Sequence, residues 1–313
     1  MNLLSRLDAK TVFFVALILT ASGIISPPFA LICGIIYGFS FVHPYHIESR
    51  NLSTLLLKLA VVGLGFGMNL RQVVHAGKAG FFYTAISISS VMLLGWLLGR
   101  IFRVNKKASY LITVGTAICG GSAIAAIAPI TNPNDEEMAM SLGTVFVLNS
   151  VALLIFPPIG TALHLTQSQF GLWAALAIHD TSSVVGASAK YGSQALQIAT
   201  TVKLTRALWI VPLAMLTAYF AKSRAKIQLP LFILFFCLAA VAYTYIPQGH
   251  TLYAIFSNLG RIGLTVVLFL IGTGLSKETL QRVGARPFLQ GVTLWAVVAV
   301  VSLMAIRAGW ISL

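Results

Sequence analysis

Long apolar stretches separated by short polar punctuation dominate the chain, and they lack the strict alternation that marks a half-buried strand. Apolar runs fall at residues 11–25, 28–42, 52–69, 81–99, 111–130, 139–157, 171–190, 196–220, 229–246, 253–273 and 288–308. A helix needs about 17–25 residues to cross the hydrocarbon core of a bilayer, and all but the first two runs reach that length. The pattern predicts an all-α, polytopic membrane protein with eleven transmembrane helices, or ten if the first two runs merge. Pro27 and Pro28 interrupt the apolar stretch at 11–42 and favour two helices. Arg6 and Lys10 ahead of TVFFVALILTASG also fit a signal peptide. A retained helix is expected because it restores the charge topology below.

Composition fixes the class independently. Hydrophobic residues make up 58% of the 313, charged residues 9%, and the mean hydropathy is +0.91. Such a chain has too few polar groups to coat a water-soluble globule. The net charge of +14 raises nucleic acid as a partner, but the bases fall in short loops between apolar runs, which reads as membrane topology and excludes it. With a cytoplasmic N-terminus, inner loops collect Arg6, Lys10, Arg50, Arg100, Arg103, Lys106, Lys107, Lys222, Arg224, Lys226, Lys277, Arg282 and Arg286, thirteen of the 21 bases. Outer loops hold Arg71, Lys78 and Lys190. Merging the first two helices would destroy that bias, so a multi-pass protein of the bacterial inner membrane is expected. NPNDEE (132–137) reads as a solvated acidic outer loop. Cys33, Cys119 and Cys237 lie far apart in apolar segments and imply neither a metal knuckle nor a disulfide framework.

The chain reads as one transmembrane transporter-like domain over 1–313: an extra N-terminal helix in 1–27, a first half at 28–157 and a second at 171–308. GFGMNLRQVVHAGKAGF (65–81) and GTGLSKETLQRVGARPF (272–288) share a glycine, a turn, a base and a phenylalanine, and the topology places them on opposite sides of the membrane. That is the mark of an inverted repeat. A second echo aligns Ala117, Ile118 and Ser122 with Ala177, Ile178 and Ser182. Simple counting runs those two segments in the same direction, so either one is re-entrant or the echo is chance.

The polar residues inside the apolar runs carry the functional reading. AIHDTSSVVGASAKYG (177–192) sets His179 and Asp180 side by side, followed by Thr181, Ser182 and Ser183. Ionisable groups at membrane depth are rare, paired and functional. Lys203 and Arg206, three apart on one helical face, follow in the next segment, and one of them is expected to pair with Asp180. A purely structural ion pair is the competing reading. With Lys58 and Arg261 added, four bases face one acid inside the membrane, a surplus that an anionic solute neutralises. For Lys58 the bland alternative is snorkelling to the interface.

Gly120, Gly121 and Ser122 lie mid-segment in TAICGGSAIAA (116–126), where a helix break survives only if buried in protein or lining a wet cavity. A half-helix starting near Ser122 would aim free N–H groups at an anion, and Ser182 and Ser183 could do the same in the echoing segment. Close packing of small residues is the alternative.

TAICGGSAIAAIAP (116–129), AIHDTSSVVGASAKYG and ATTVKLTRALWIVP (199–212) together resemble the YeiH family of bacterial inner-membrane proteins, described as a sulfate exporter family. The resemblance covers most of residues 28–300. It implies a bundle similar to the cation:proton antiporter and anion transporter superfamily, with inverted repeats and discontinuous or re-entrant helices near the midplane. Carried onto this chain, its motif positions are Cys119, Gly120, Gly121, Ser122, His179, Asp180, Thr181, Ser182, Ser183, Lys203 and Arg206.

The expected function is ion-coupled secondary transport of a small anion (sulfate, a sulfonate or a carboxylate) by alternating access. Gly120, Gly121, Ser122, Thr181, Ser182, Ser183, Lys203 and Arg206 are the candidate substrate ligands. His179 and Asp180 are the candidate coupling pair, with H+ carried by a group whose ordinary pKa is about 6.5; Na+ on Asp180 and helix-end carbonyls is the alternative. Cys119, Arg261 and Lys58 are additional candidates. No cofactor or metal is expected, and the lipid bilayer, the solute and a homodimer are the expected partners. An enzyme is disfavoured, since adjacent helical residues point about 100° apart and HDTSS lacks the second histidine of HExxH. A channel would show rings of like charge or carbonyl filters.

Overall fold

The computed structural model describes residues 8–223, 230–275, 281 and 283–312, and these are helical with no strand. In chain order the helices are α1 (Ala9–Ala21), α2 (Pro27–Ser40), α3 (His46–Gly65), α4 (Leu70–Ile101), α5 (Lys106–Ala117), α6 (Gly121–Thr131), α7 (Asp135–Ala162), α8 (Gln167–Ala177), α9 (Thr181–Tyr191), α10 (Ser193–Leu208), α11 (Ile210–Ala221), α12 (Leu231–Tyr245), α13 (His250–Thr273) and α14 (Ala285–Arg307). Among the described residues five helical stretches are long and apolar enough to cross a membrane, six if residues 47–78 count as one bent span. Each apolar run of the sequence is helical where described. Runs 111–130 and 171–190 are each split into two helices of 11 or 12 residues.

Local chemistry sets the boundaries. Pro27 and Pro28 open α2, where a missing N–H leaves nothing unsatisfied. Asn105 caps α5; Asn134 with Glu137, and Thr166 with Gln169, form capping boxes at the starts of α7 and α8. The three acids of NPNDEE therefore serve the first turn of α7, where the helix dipole favours negative charge.

The chain divides into two compact units, Met1–Leu70 with Phe232–Lys277, and Arg71–Leu231 with Glu278–Leu313. Each sequence half contributes to both. The first unit holds α1–α3, α12 and α13. There α13 crosses α2 at Gly34 and Gly272, where a Cβ on either would come within 2.6 Å of a carbonyl oxygen of the other helix. Only glycine permits that approach. Phe13 ties α1 into the same unit, its ring 5.7 Å from Tyr37 and 5.9 Å from Phe269. Lys58 and Arg261, expected among the buried charges, are both exposed on this unit. The buried stripe of α13 runs through Ser257, Gly260, Leu264 and Val267 at helical spacing, and Arg261 lies off it. The surplus of four bases over one acid is thus corrected to the residues buried in the second unit.

That unit holds α4–α11 and α14. Lys107, in the first turn of α5, donates from Nζ to the Asn132 carbonyl at the end of α6, at 2.7 Å. Were the two helices collinear, those residues would lie roughly 38 Å apart at 1.5 Å per residue, so α5–α6 is a hairpin that returns to its starting side, and NPNDEE, expected as an outer loop across from Lys107, falls on the side of Lys107 instead. The α8–α9 pair folds back the same way. Gln167, first in α8, accepts from the Gln194 N–H at 3.0 Å; Tyr191 donates to the Leu165 carbonyl at 2.6 Å and stacks on Phe170 at 3.8 Å. The long helix α7 joins the open end of one hairpin to that of the other, so the two open at opposite ends of the unit. The last helix, α14, closes the unit: Trp173 donates to the Ala299 carbonyl, and the buried Gln290 donates to Ser109 of α5 and to the Gly95 carbonyl of α4.

Five of the loop bases assigned to the inner side (Arg6, Arg224, Lys226, Lys277, Arg282) and part of the repeat at 272–288 lie outside the described residues.

Candidate functional site

The two hairpin tips meet inside the second unit. In the first, α5 ends at Ala117 and the chain passes through Ile118 and Cys119 to Gly120, whose φ of +67° and ψ of −131° turn it back into α6. A side chain is strained there, and a Cβ on Gly120 would lie 3.3 Å from Asp180 Cα and 3.3 Å from Val145. In the second, α8 ends at Ala177, and Ile178, His179 and Asp180 run extended before α9 begins at Thr181. Gly120 against Asp180 is thus the contact between the tips.

Breaking two helices frees carbonyls at the ends of α5 and α8 and N–H groups at the starts of α6 and α9, which lipid cannot satisfy. Buried charged side chains take that role. Lys203, fully buried on α10, donates from Nζ to the Ile178 carbonyl at 2.7 Å and the Ala175 carbonyl at 3.4 Å. Arg206, one turn on and equally buried, donates from Nη1 to the Leu176 carbonyl at 2.9 Å and from Nη2 to the Ala117 carbonyl. One guanidinium therefore joins both tips. Positive charge at helix C-termini is the arrangement the dipole favours, and carbonyls matched to a forked donor strengthen it.

Asp180 complements this at the other polarity. As the N-cap of α9 its carboxylate accepts from the N–H of Ser182 at 3.0 Å, that of Ser183 at 3.4 Å, and the Ser182 hydroxyl. The expected ion pair between Asp180 and Lys203 or Arg206 is therefore corrected: each charge is satisfied at a helix end, and no ion pair joins them. A further correction follows for Ser182 and Ser183, whose backbone donors at the start of α9 are taken by Asp180 and do not form an open cradle.

The sequence reading missed Asn149. It sits midway along α7, buried, and its Oδ1 accepts from the N–H of His179 at 3.1 Å and of Asp180 at 3.0 Å. The peptide joining Ile178 and His179 is clamped on both edges, its carbonyl by Lys203 and its N–H by Asn149. A lone amide in the apolar run 139–157 was the available signal. Thr116 and Val145 also border the first tip and were not singled out.

The other candidates divide. Thr181, Ser182, Ser183, His179 and Gly120 are buried with the tips; Gly121 is half-buried against Phe146, and Ser122 is exposed. Cys119 is buried at the first tip as a free cysteine. Around these tips several buried polar atoms have no partner among the described residues: both ring nitrogens of His179, Nδ2 of Asn149, Oγ1 of Thr116 and Nε of Arg206. Buried polar atoms are ordinarily paired, so a cluster of unpaired ones asks for a ligand, an ion or water. Among the described residues no three His, Cys, Asp or Glu side chains converge as metal ligands.

A family model described as Conserved hypothetical protein 698 matches residues 5–291. The chain is similar to a UPF0324 membrane protein of Bacteroides thetaiotaomicron, 50% identical over 282 residues that cover 89% of this chain and 86% of that one. It is 49% identical to a UPF0324 membrane protein of Bdellovibrio bacteriovorus over 310 residues, 97% of this chain and 95% of the other. A UPF0324 membrane protein of Geobacter sulfurreducens is 44% identical over 298 residues, 95% and 96% of the two chains. No solved structure matches.

Proposed function

This chain belongs to the Conserved hypothetical protein 698 family of multi-pass membrane proteins, and on that premise we propose that it is a secondary active transporter of a small anion working by alternating access. The observation that carries the reading is the pair of hairpin tips, entering from opposite ends of one helical unit and meeting at a fully buried cluster with unpaired donors. Interrupted backbone at membrane depth is tolerated where it is enclosed or lines a solute path, and transporters place substrate and coupling-ion sites at such breaks. The bases Lys203 and Arg206 outnumber the acid Asp180, which favours a negatively charged solute over a cation.

In this reading the tips, Gly120–Ser122 and His179–Ser183, form the substrate site with Lys203 and Arg206 as counter-charge. His179 and Asp180 are the coupling pair. Both ring nitrogens of His179 are without a partner among the described residues, and Asp180 is the buried carboxylate whose capping bonds a proton or Na+ would replace. The protein works in the bacterial inner membrane with its N-terminus in the cytoplasm, since the basic loops then fall on the inner side.

The test is uptake of labelled anions into proteoliposomes under imposed proton and sodium gradients. The reading expects saturable accumulation that collapses when the driving gradient is dissipated. Turnover of a compound in detergent without transport, or currents with no saturation, would replace it with an enzyme or a channel.

A further inference from the structure

The charges at the hairpin tips and the donors left over after the backbone is satisfied specify the solute further. Counted by formal charge, Lys203 and Arg206 contribute two positives and Asp180 one negative, and all three are more than nine-tenths buried. Two helix C-termini and two helix N-termini converge on the same point, and their partial charges of about half a unit each cancel in sign. One positive charge is left over, in a place where counter-ions from solution do not reach. The bonding is already divided: both hydrogen bonds of the Lys203 ammonium, and the Nη1 and Nη2 bonds of Arg206, go to backbone carbonyls. Asn149 spends its oxygen on two backbone N–H groups. Among the described residues Nε of Arg206, Nδ2 of Asn149, the His179 ring and the Thr116 hydroxyl have no partner, and the third N–H of the Lys203 ammonium and the second N–H on each Arg206 Nη are also unspent, a group rich in donors and without a free carboxylate.

We infer that the solute is an oxyanion of single negative charge, such as a carboxylate, a sulfonate or nitrate, and that Asn149 is one of its specificity-determining ligands. A monoanion brings the cluster to neutrality, whereas a dianion such as sulfate leaves one uncompensated negative charge buried, and charge mismatch in a desolvated site costs several kcal/mol. Oxygen acceptors match the leftover N–H donors. Asn149 holds the second tip through Oδ1 while its Nδ2 faces no protein partner, so the same side chain that fixes the break is free to read the solute. This inference rests on the anion-transport reading above.

The experiment measures the affinity of the purified full chain for paired anions of like chemistry, formate against oxalate and methanesulfonate against sulfate, by calorimetry and by ligand-induced thermal shift. Wild type is expected to bind the monoanions at least about tenfold more tightly than the dianions, the equivalent of about 1.4 kcal/mol. Asp180→Asn raises the surplus to two and keeps a capping side chain, so its preference should turn towards the dianions. Asn149→Asp keeps an oxygen for both backbone N–H groups but removes the donor and cancels the surplus, so it should lose monoanion binding by a similar factor. If Asn149→Asp does not fold, the Asp180→Asn preference decides. Tighter dianion binding by wild type, or an unchanged preference in Asp180→Asn, overturns the single-charge inference and leaves anion transport standing. Binding of no anion of either charge removes the transport reading itself.

Discussion

Gly120 and Asp180 touch where two broken helices meet, and each has a distinct consequence on substitution. At φ +67° and ψ −131° Gly120 occupies a region nearly closed to other residues, and a Cβ would press on Asp180 and Val145. Gly120→Ala should lower stability by about 1–3 kcal/mol, read as a lower unfolding midpoint in detergent. Asp180 allows a cleaner separation of roles. Asn caps a helix as well as Asp does but leaves the two buried bases without their carboxylate, so Asp180→Asn should unfold below wild type, and Asp180→Ala, which loses the cap as well, about 1 kcal/mol lower still. A stability difference in the opposite order would mean that the cap is not what holds the start of α9. These polar positions were legible in the sequence because charge and amide groups stand out in apolar runs. Their partners were not. Counting acids against bases presumes that charges pair with charges, and the carbonyls at the ends of α5 and α8, which take up Lys203 and Arg206, belong to the backbone and leave no trace in composition.

At the scale of elements, a run of twenty apolar residues has the same length whether it crosses a membrane or turns back halfway. That is why residues 111–130 and 171–190 read as spans, although Gly120, Gly121 and the His179–Asp180 pair marked where they break. Their folding back also resolves the second echo. With α7 between them the hairpins open at opposite ends, so the aligned segments around Ser122 and Ser182 run in opposite senses, as an inverted repeat requires. Cysteines placed at Lys107 and Asn134 should therefore label with a membrane-impermeant reagent from the same side, and a cysteine at Gln194 from the other. Labelling of 107 and 134 from opposite sides would show that α5–α6 spans. The hairpins also share one fastener. Arg206→Met leaves the Ala117 and Leu176 carbonyls unpaired in the interior and should cost at least about 3 kcal/mol, as two hydrogen bonds from a charged donor imply. A midpoint within a degree or two of wild type would mean that the guanidinium is not the clasp.

For the whole molecule, composition and apolar periodicity made the helical membrane class plain, and the family relatives are membrane proteins too. What they left hidden was the division of the chain into two compact units drawn from both sequence halves, since that grouping depends on close crossings such as Gly34 with Gly272 and on long-range bonds such as Gln290 to Ser109. It also moved Lys58 and Arg261 out of the charge cluster, leaving Lys203, Arg206 and Asp180 to define it. If this enclosed cluster couples anion movement to an ion gradient, removing the Asp180 carboxylate must uncouple the two. The most direct measurement compares gradient-driven uptake of a bound anion by wild type and Asp180→Asn in proteoliposomes of equal protein content. Wild type should accumulate the anion above equilibrium, and the variant should reach only passive equilibration or none. Full gradient-driven accumulation by Asp180→Asn would contradict that coupling.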